Sequence, residues 1–139
     1  MLIVADARQI PFMDGCVQCV VTSPPYFGLR DYGTVGQIGL ESTPDAYVAA
    51  LVSVFREVRR VLREDGTVWL NLGDSYAGGG NYRGTDESTL TTKQRSNRGA
   101  HGELAIGRTG VLPPTLQLVK DGTLKAKDLV GIPWRVAFA

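Results

Sequence analysis

An apolar segment that runs directly into two prolines constrains the fold of this chain most. Four of the six residues in 17–22 are β-branched, which is typical of a strand buried on both faces. Pro24 and Pro25 end the strand, because neither has a backbone N–H and each ring fixes φ. At the carboxyl edge of a sheet, this turn would present the Ser23 hydroxyl, the nearby backbone carbonyls and the Tyr26 ring. Taken alone, the turn indicates a plain proline-rich connection as readily as a binding site.

Length and composition limit the classes of protein to consider. The chain has 139 residues, of which 43% are apolar, and this allows at most one domain with a modest core. A net charge of +1 does not by itself indicate binding to nucleic acid. The sequence carries no signal peptide and no apolar run of membrane-spanning length, which predicts a cytoplasmic protein without a membrane partner.

Cys16 and Cys19 form an isolated C-x-x-C pair. A zinc site would need two further ligands, and the only histidine, His101, lies far away in a glycine-rich stretch. If both cysteines enter the strand, their odd separation directs them to opposite faces. We therefore predict no metal site and expect both cysteines to act as buried small apolar residues.

Two further strands and one helix are predicted around this segment. Residues 2–4 form a short apolar stretch typical of a strand, and residues 67–72 form another. Thr43 can cap a helix with Pro44 in its first turn, and residues 65–66 would end it. A strand, a helix and a strand at this spacing predict a parallel sheet. The helix presents one apolar stripe, formed by Tyr47, Leu51, Val54, Phe55, Val58, Val61 and Leu62.

Several arginines lie toward the end of the predicted helix. They indicate a solvated face that complements the helix dipole, and this interpretation is favoured over a surface for DNA. The group consists of Arg56, Arg59, Arg60 and Arg63.

Three stretches of the chain resemble one protein family. Residues 22–26, Thr-Ser-Pro-Pro-Tyr, resemble the catalytic (S/D/N)PP(Y/F) motif of amino-methylating DNA methyltransferases. Residues 60–76 resemble the family's R-x-L-x-x-x-G followed by T-x-W-L-N-L-G-D-S-Y, and residues 127–139 resemble its K-x-L-x-G-I-P-W-R-V-A-F-A segment. The resemblance implies an α/β fold, a partial Rossmann-like S-adenosylmethionine-dependent methyltransferase with a parallel sheet.

The resemblance implies a catalytic role for Ser23, Pro24, Pro25 and Tyr26. Members of the family methylate N4 of cytosine or N6 of adenine in double-stranded DNA, and these amines are poor nucleophiles because the lone pair is delocalised into the ring. The Ser23 oxygen and the Pro24 carbonyl would accept the two amine hydrogens and localise that lone pair. Tyr26 would stack on a base flipped out of the duplex. Serine at position 23 favours cytosine N4 over adenine N6.

Two acidic residues are predicted to bind the cofactor, S-adenosylmethionine. Residues 5–7, Ala-Asp-Ala, resemble the family segment whose acidic residue lies near the cofactor adenine, with Ala5 in place of the usual glycine. Asp6 alternatively caps the turn that follows it. Asp74 follows a strand end, where open α/β sheets bind ligands, and serves either the cofactor or the target pocket.

Arg30 and Tyr32 are predicted to contact DNA. The stretch 27–33 resembles the family's F/Y-x-L-R-x-Y continuation, in which Arg30 would meet a phosphate and Tyr32 would line the base pocket. The alternative is a solvated Arg30–Asp31 pair with Tyr32 packed in the core. Loops with such glycines and aromatic residues suit a mobile element over a binding site.

The second half of the chain breaks the pattern of strands and helices. Residues 77–127 carry eight Lys or Arg against four Asp or Glu. We predict a flexible basic insert over about residues 77–126, which suits DNA phosphate contact and equally suits a disordered surface loop. The family's F-x-G-x-G-T cofactor loop is not found, because the glycines of 78–80 and 107–110 lack a preceding strand and aromatic residue.

The sequence therefore predicts one partial methylase domain over residues 1–139, with the C-terminal cofactor half missing. Without the strands of that half, residues 2–4 would lack a partner and the catalytic strand would expose an edge. We expect the chain alone to be marginally folded and inactive unless a second polypeptide, a complementing C-terminal half, completes it.

The predicted function is site-specific methylation of double-stranded DNA within a restriction–modification or other DNA-modification system, with a cognate restriction endonuclease as partner. The alternative is a non-catalytic truncated fragment, or the DNA-binding half of a split methylase. Methylation of RNA or of a protein amide is a weaker interpretation, since those relatives prefer asparagine at position 23.

Overall fold

The computed structural model describes residues 2–78 and 114–139. The bounds of its elements are β1 (Val17–Thr22), α1 (Pro44–Val61), β2 (Leu62–Leu70), α2 (Pro114–Lys120) and α3 (Ile132–Ala137). β1 and β2 pair in parallel, and α1 connects them. The predicted parallel α/β unit is therefore confirmed for this part of the chain.

Helix α1 begins as predicted. Thr43 is in an extended conformation, and its hydroxyl accepts a hydrogen bond from the Ala46 N–H at 3.1 Å. Pro44 occupies the first helical turn, where its missing N–H has no partner to lose. Asp45 adds a negative charge at the positive end of the helix dipole.

The end of α1 differs from the prediction. The helix stops at Val61, four residues before the expected Asp65, because Leu62 turns extended and pairs with Val17 of β1. The ladder is irregular there, and regular pairing resumes with Thr67 opposite Cys19. Strand pairing with a distant segment thus overrides the local signals that would have continued the helix.

The predicted strand at residues 2–4 does not form, whereas the expectation that this segment would lack a partner agrees with the described structure. Leu2 and Val4 are extended but unpaired, and their side chains are 92% and 97% exposed. A strand needs a neighbour to accept its backbone hydrogen bonds, and in the described part of the chain none lies beside this segment.

Strand β1 was predicted to be buried on both faces, but one of its faces is exposed. Its side chains alternate, with Val20 and Thr22 half-buried and Cys19 and Val21 exposed. Val21 is paired with Trp69, so their side chains share the open face, where they are 78% and 66% exposed. Within the described ranges, no element covers this face.

The cysteines are also more exposed than predicted. Cys16 and Cys19 are both exposed free thiols, because one precedes β1 and the other lies on its open face. The described residues contain no group of side chains that could hold a metal ion. His101 lies in residues 79–113, outside the described residues, as does most of the predicted basic insert.

The core joins α1 to segments that follow the two strands and to the C-terminal helices. The residues buried most completely in it are Phe27, Tyr47, Leu51 and Ile132. The stripe predicted on α1 is buried at Tyr47, Leu51, Val58 and Val61, and half-buried at Val54, Phe55 and Leu62. Leu118 of α2 joins the core, so the C-terminal part of the predicted insert is not irregular throughout. Across residues 2–78 and 114–139, no helix combines the length and the apolar character that a membrane crossing requires.

Arg60 attaches the N-terminal segment to the end of α1. Its guanidinium pairs with Glu57 at 2.8 Å and with Asp14 at 2.6 Å, and it donates to the carbonyls of Ile10 and Phe12 at 2.9 Å each. The prediction of a solvated arginine face is therefore wrong for Arg60, since one planar group satisfies several acceptors at once. The other arginines of the group are exposed.

Acid is expected to release this N-terminal segment. The Arg60 side chain, and secondarily the Ile10 N–H, hold the pKa of Glu57 below its ordinary value of 4.5. A carboxyl whose pKa is lowered by folding stabilises the fold above its unfolded pKa, and that contribution is lost as the pH falls through its folded pKa. The NMR shift of the Ile10 amide should therefore titrate below pH 4.5.

Glu57→Gln keeps an acceptor for the Ile10 N–H but does not titrate, and it serves as the matched control. In this variant the Ile10 amide shift should not change over the same pH range. An identical titration in both proteins would show that Glu57 does not hold the segment.

Candidate active site

The proline turn begins where β1 leaves the sheet. The Thr22 carbonyl accepts the last ladder bond, from the Asn71 N–H at 3.0 Å. Ser23 is exposed and Pro24 is half-buried. The turn therefore stands at the carboxyl edge of the parallel pair, as the sequence predicts.

Three carbonyls beyond Pro24 are engaged. Pro25 O accepts from the buried Tyr47 hydroxyl at 2.8 Å, Tyr26 O accepts from the Leu29 N–H at 3.3 Å, and Phe27 O accepts from the Ser75 hydroxyl at 2.7 Å. These bonds fix the backbone from Pro25 onward, with contributions from α1 and from the segment after β2.

Ser23 and Pro24 contrast with their neighbours. Among the described residues, no group donates to the Ser23 hydroxyl, to the Ser23 carbonyl or to the Pro24 carbonyl. The turn thus presents adjacent acceptors on a backbone that is fixed on both sides. An amine with two hydrogens is a suitable donor for such a pair.

The Tyr26 ring lies against Gly73, just after β2. A methyl group at position 73 would come within 2.8 Å of Tyr26 Cε2, so a larger residue would require the ring to shift. The Tyr26 hydroxyl lies 3.5 Å from Asn71 Oδ1, at the limit of a hydrogen bond. The ring is half-buried and therefore retains surface for a planar ligand.

Asp74 links the end of β2 to α3. Its carboxylate accepts from the N–H groups of Ser75 at 2.8 Å, Ile132 at 2.9 Å and Gly131 at 3.0 Å. Gly131 precedes α3 with φ of 78° and has no side chain to cap the helix, so Asp74 supplies the cap from a distant segment. A role in cofactor or target binding stays a prediction.

Asp6 makes only local contacts among the described residues. Its carboxylate accepts from the Arg8 N–H at 2.9 Å and pairs with the Arg8 guanidinium at 2.8 Å. Its carbonyl accepts from the Gln9 N–H at 2.9 Å. The hydrogen bond from the Arg8 side chain lowers the pKa of Asp6 to about 2. This geometry matches the alternative in which Asp6 caps a turn, and its cofactor role stays a prediction.

The loop that carries Arg30 and Tyr32 is closed at its base by the Gly28 N–H, which donates to the Gly39 carbonyl at 2.7 Å. Gln37 crosses the loop: its amide accepts from the Tyr32 N–H at 2.8 Å and donates to the Arg30 carbonyl at 3.0 Å. Both predicted DNA contacts therefore have a fixed backbone and exposed side chains.

The alternative for this loop does not match the structure. Tyr32 is 58% exposed and is not packed in the core. Asp31 accepts from the Gly33 N–H at 2.7 Å, and it forms no ion pair with Arg30 in the part of the chain that the structure describes. Contact of Arg30 and Tyr32 with DNA stays a prediction.

The residues that hold the turn are absent from the site residues predicted from the sequence; they are Tyr47, Gly73 and Ser75. Tyr47 was predicted only as a core residue of the apolar stripe. A buried tyrosine hydroxyl requires a hydrogen-bond partner, and this requirement could have indicated that Tyr47 contacts another segment. Gly73 and Ser75 flank Asp74 in residues 67–76, and their local sequence carries no signal for contacts with Tyr26 and Phe27.

Comparison with known proteins agrees with the resemblance found in the sequence. A family model described as DNA methylase matches residues 17–121, which is more than half of the chain. This range contains the proline turn, α1 and β2. The prediction of an amino-methylating DNA methyltransferase family is confirmed. No solved structure matches the chain.

Curated relatives match nearly the whole chain. The Type II methyltransferase M.SmaI of Serratia marcescens is 47% identical over 140 residues, which cover 99% of this chain and 41% of the relative. M.XycI of Xanthomonas campestris pv. cyanopsidis is 45% identical, and M.Cfr9I of Citrobacter freundii is 43% identical; each match covers 95% of this chain and 37% of the relative. The chain spans less than half the length of these relatives. It belongs to the DNA methylase family.

Proposed function

We propose that this chain provides the base-binding part of a site-specific DNA methyltransferase, which transfers a methyl group from S-adenosylmethionine to an exocyclic amine of double-stranded DNA. The observation that carries the proposal is the turn itself: the Ser23 hydroxyl and the Pro24 carbonyl have no donor among the described residues, whereas the carbonyls of Thr22 and Pro25 are engaged. The pair is therefore fixed in place and open to a ligand.

The chemistry of the amine explains why two acceptors are useful. Each accepts one N–H of the amine, and this withdraws the nitrogen lone pair from conjugation with the ring and directs it outward. A fixed pair does this without reorganisation during the reaction. Tyr26, held against Gly73, provides a flat surface on which the flipped base can stack.

S-adenosylmethionine supplies the methyl group in this proposal, but the described residues do not form a site that fits it. The Asp6 carboxylate is paired with Arg8, and the Asp74 carboxylate accepts three backbone N–H groups. The sequence also lacks the family's F-x-G-x-G-T loop. We therefore assign the proline turn to the binding of the base amine, and contact of Asp6 or Asp74 with the cofactor stays a prediction.

The proposal includes a complementing part that provides the rest of the cofactor site. The open face of the sheet, defined by Cys19, Val21 and Trp69, offers exposed apolar surface for it. The relatives are more than twice as long as the region they share with this chain, which leaves ample length for such a part. Transfer by the chain alone is not expected.

The finer assignments follow the residues. Serine at position 23 favours cytosine N4 over adenine N6 as the target. We propose that Arg30 contacts a DNA phosphate and Tyr32 the target base, and the exposure of both side chains on the closed loop supports this. Because the relatives are named Type II methyltransferases, we propose a cytoplasmic restriction–modification system with a cognate restriction endonuclease.

The test is a transfer assay on a completed enzyme, defined as this chain fused to the part of M.SmaI that lies outside the matched region. Calorimetry first verifies that the completed enzyme binds S-adenosylmethionine. It is then incubated with labelled cofactor and DNA, and the product nucleosides are identified by mass spectrometry. M.SmaI itself serves as the positive control.

N4-methylcytosine is the expected product. N6-methyladenine would retain the proposed function but overturn the assigned base. A completed enzyme that binds the cofactor but methylates no base would overturn the function and favour the non-catalytic alternative. Transfer by the 139-residue chain alone would contradict the need for a complementing part.

A further inference from the structure

Tyr47 connects the buried core to the proline turn. Its side chain is fully buried, and its ring packs against Phe27 with the ring centroids 5.5 Å apart. The hydroxyl donates to the Pro25 carbonyl at 2.8 Å. Tyr47 thus joins α1 to the backbone of the turn by one hydrogen bond.

The turn has two adjacent proline carbonyls, and they are not equivalent. The rings of Pro24 and Pro25 fix φ at both positions, so the direction of each carbonyl depends on ψ alone. The bond from Tyr47 fixes ψ of Pro25. No described residue does the same for Pro24, whose carbonyl remains open beside Ser23.

The backbone at Gly39 also packs closely against the proline turn. A methyl group at position 39 would come within 3.0 Å of the Tyr26 carbonyl and 3.3 Å of Pro25 Cβ, so the loop backbone approaches the turn closely. Pro25 therefore lies between α1 and the closed loop, and Tyr47 makes the hydrogen bond to its carbonyl.

The Tyr47 hydroxyl stays protonated throughout the range in which such an enzyme is assayed. Burial, and secondarily the nearby Glu41 and Tyr26, raise the pKa of Tyr47 above its ordinary value of 10.0. A permanently protonated hydroxyl remains a donor, and the Pro25 carbonyl stays engaged.

We propose that Tyr47 is a positioning residue for methyl transfer: its hydroxyl engages the Pro25 carbonyl and leaves the Pro24 carbonyl as the one proline acceptor open to the base amine. This inference rests on the proposed function. Tyr47 acts through the turn and does not touch the base. Its removal frees a second carbonyl, which competes for the amine hydrogens and allows ψ of Pro25 to vary.

Tyr47→Phe in the completed enzyme tests the proposal, because it deletes the hydroxyl and keeps the ring that packs against Phe27. We expect kcat to fall by about 10- to 100-fold, the cost of a modest misplacement of reacting groups, with the KM for DNA little changed. Ser53→Ala is the matched control, because it also deletes a hydroxyl of α1 that donates to a backbone carbonyl. The Ser53 hydroxyl donates to the Ala50 carbonyl at 2.6 Å, within α1 and away from the turn. This variant should retain the wild-type kcat.

Two results would overturn the proposal: a kcat that is unchanged in Tyr47→Phe, whether or not KM rises, or the same loss of kcat in Ser53→Ala. If the wild-type completed enzyme transfers no methyl group, the proposed function fails, and NMR of the backbone carbonyls decides the role of Tyr47 separately. Changes in Tyr47→Phe that extend from Pro25 to Pro24 and Ser23 support positioning of the turn. Changes confined to the core around Phe27 overturn it.

Discussion

Replacing Ser23 with alanine is expected to slow methyl transfer by the completed enzyme by about 100- to 1,000-fold, the usual loss when one fixed hydrogen-bonding group at a reacting centre is removed. The reason is that one of the two amine hydrogens loses its acceptor, so the nitrogen lone pair stays conjugated with the base. The rate is measured in a single turnover, which separates the chemical step from product release.

The same substitution should leave the stability almost unchanged. Ser23 is exposed and, among the described residues, its hydroxyl has no partner, so its removal leaves no buried group unsatisfied. We expect a change in unfolding free energy within about 0.5 kcal/mol. This separates a loss of chemistry from a loss of fold.

Ser23→Asp is the informative control. Aspartate occurs at this position in the motif that the turn resembles, and it provides an acceptor oxygen at the same point. It should transfer the methyl group to cytosine N4 or to adenine N6 faster than the alanine variant does. If alanine transferred as fast as serine, Ser23 would not be an acceptor for the amine.

Replacing Asp74 with alanine is expected to destabilise the protein by about 2–4 kcal/mol, because hydrogen bonds to a charged group contribute strongly and three donors lose their acceptor together. The donors are the N–H groups of Ser75, Gly131 and Ile132. Since two of them begin α3, this helix should detach first. Urea unfolding gives the free energy, and hydrogen exchange at Gly131 and Ile132 shows where the loss occurs.

Asp45→Ala is the matched control, because Asp45 also reaches the C-terminal segment through its ion pair with Arg135 at 2.9 Å. The Asp45 side chain is largely exposed, so its removal should cost less than about 1 kcal/mol. Asp74→Asn, which keeps one acceptor oxygen, should fall between the two. Equal losses for Asp45→Ala and Asp74→Ala would show that Asp74 is not a cap for α3.

The features predicted from the sequence are those that short-range chemistry determines. Thr43 caps α1 through its own side chain, and Pro24 ends β1 because proline cannot continue the ladder. The parallel pairing follows from a strand, a helix and a strand in succession. The cap and the end of the strand depend on a few neighbouring residues, and the parallel pairing follows from the order of the elements, so the sequence alone indicates all three.

The features that were missed depend on distant partners. Residues 2–4 have the composition of a strand but no neighbour to pair with among the described residues, and α1 ends early because Leu62 pairs with Val17. The bonds from Tyr47 to Pro25 and from Asp74 to Ile132 join residues far apart in the chain. Apolar periodicity identifies Tyr47 as buried but does not show where its hydroxyl points.

Photocrosslinking locates the base most directly. Once the methylated cytosine has been mapped in product DNA, a duplex with 5-iodocytosine at that position is bound to the completed enzyme and irradiated, and the attached peptide is identified by mass spectrometry. The account predicts a crosslink at Tyr26, which disappears in Tyr26→Leu. Crosslinking only at other aromatic residues, with none at Tyr26, would contradict the claim that the proline turn holds the target base.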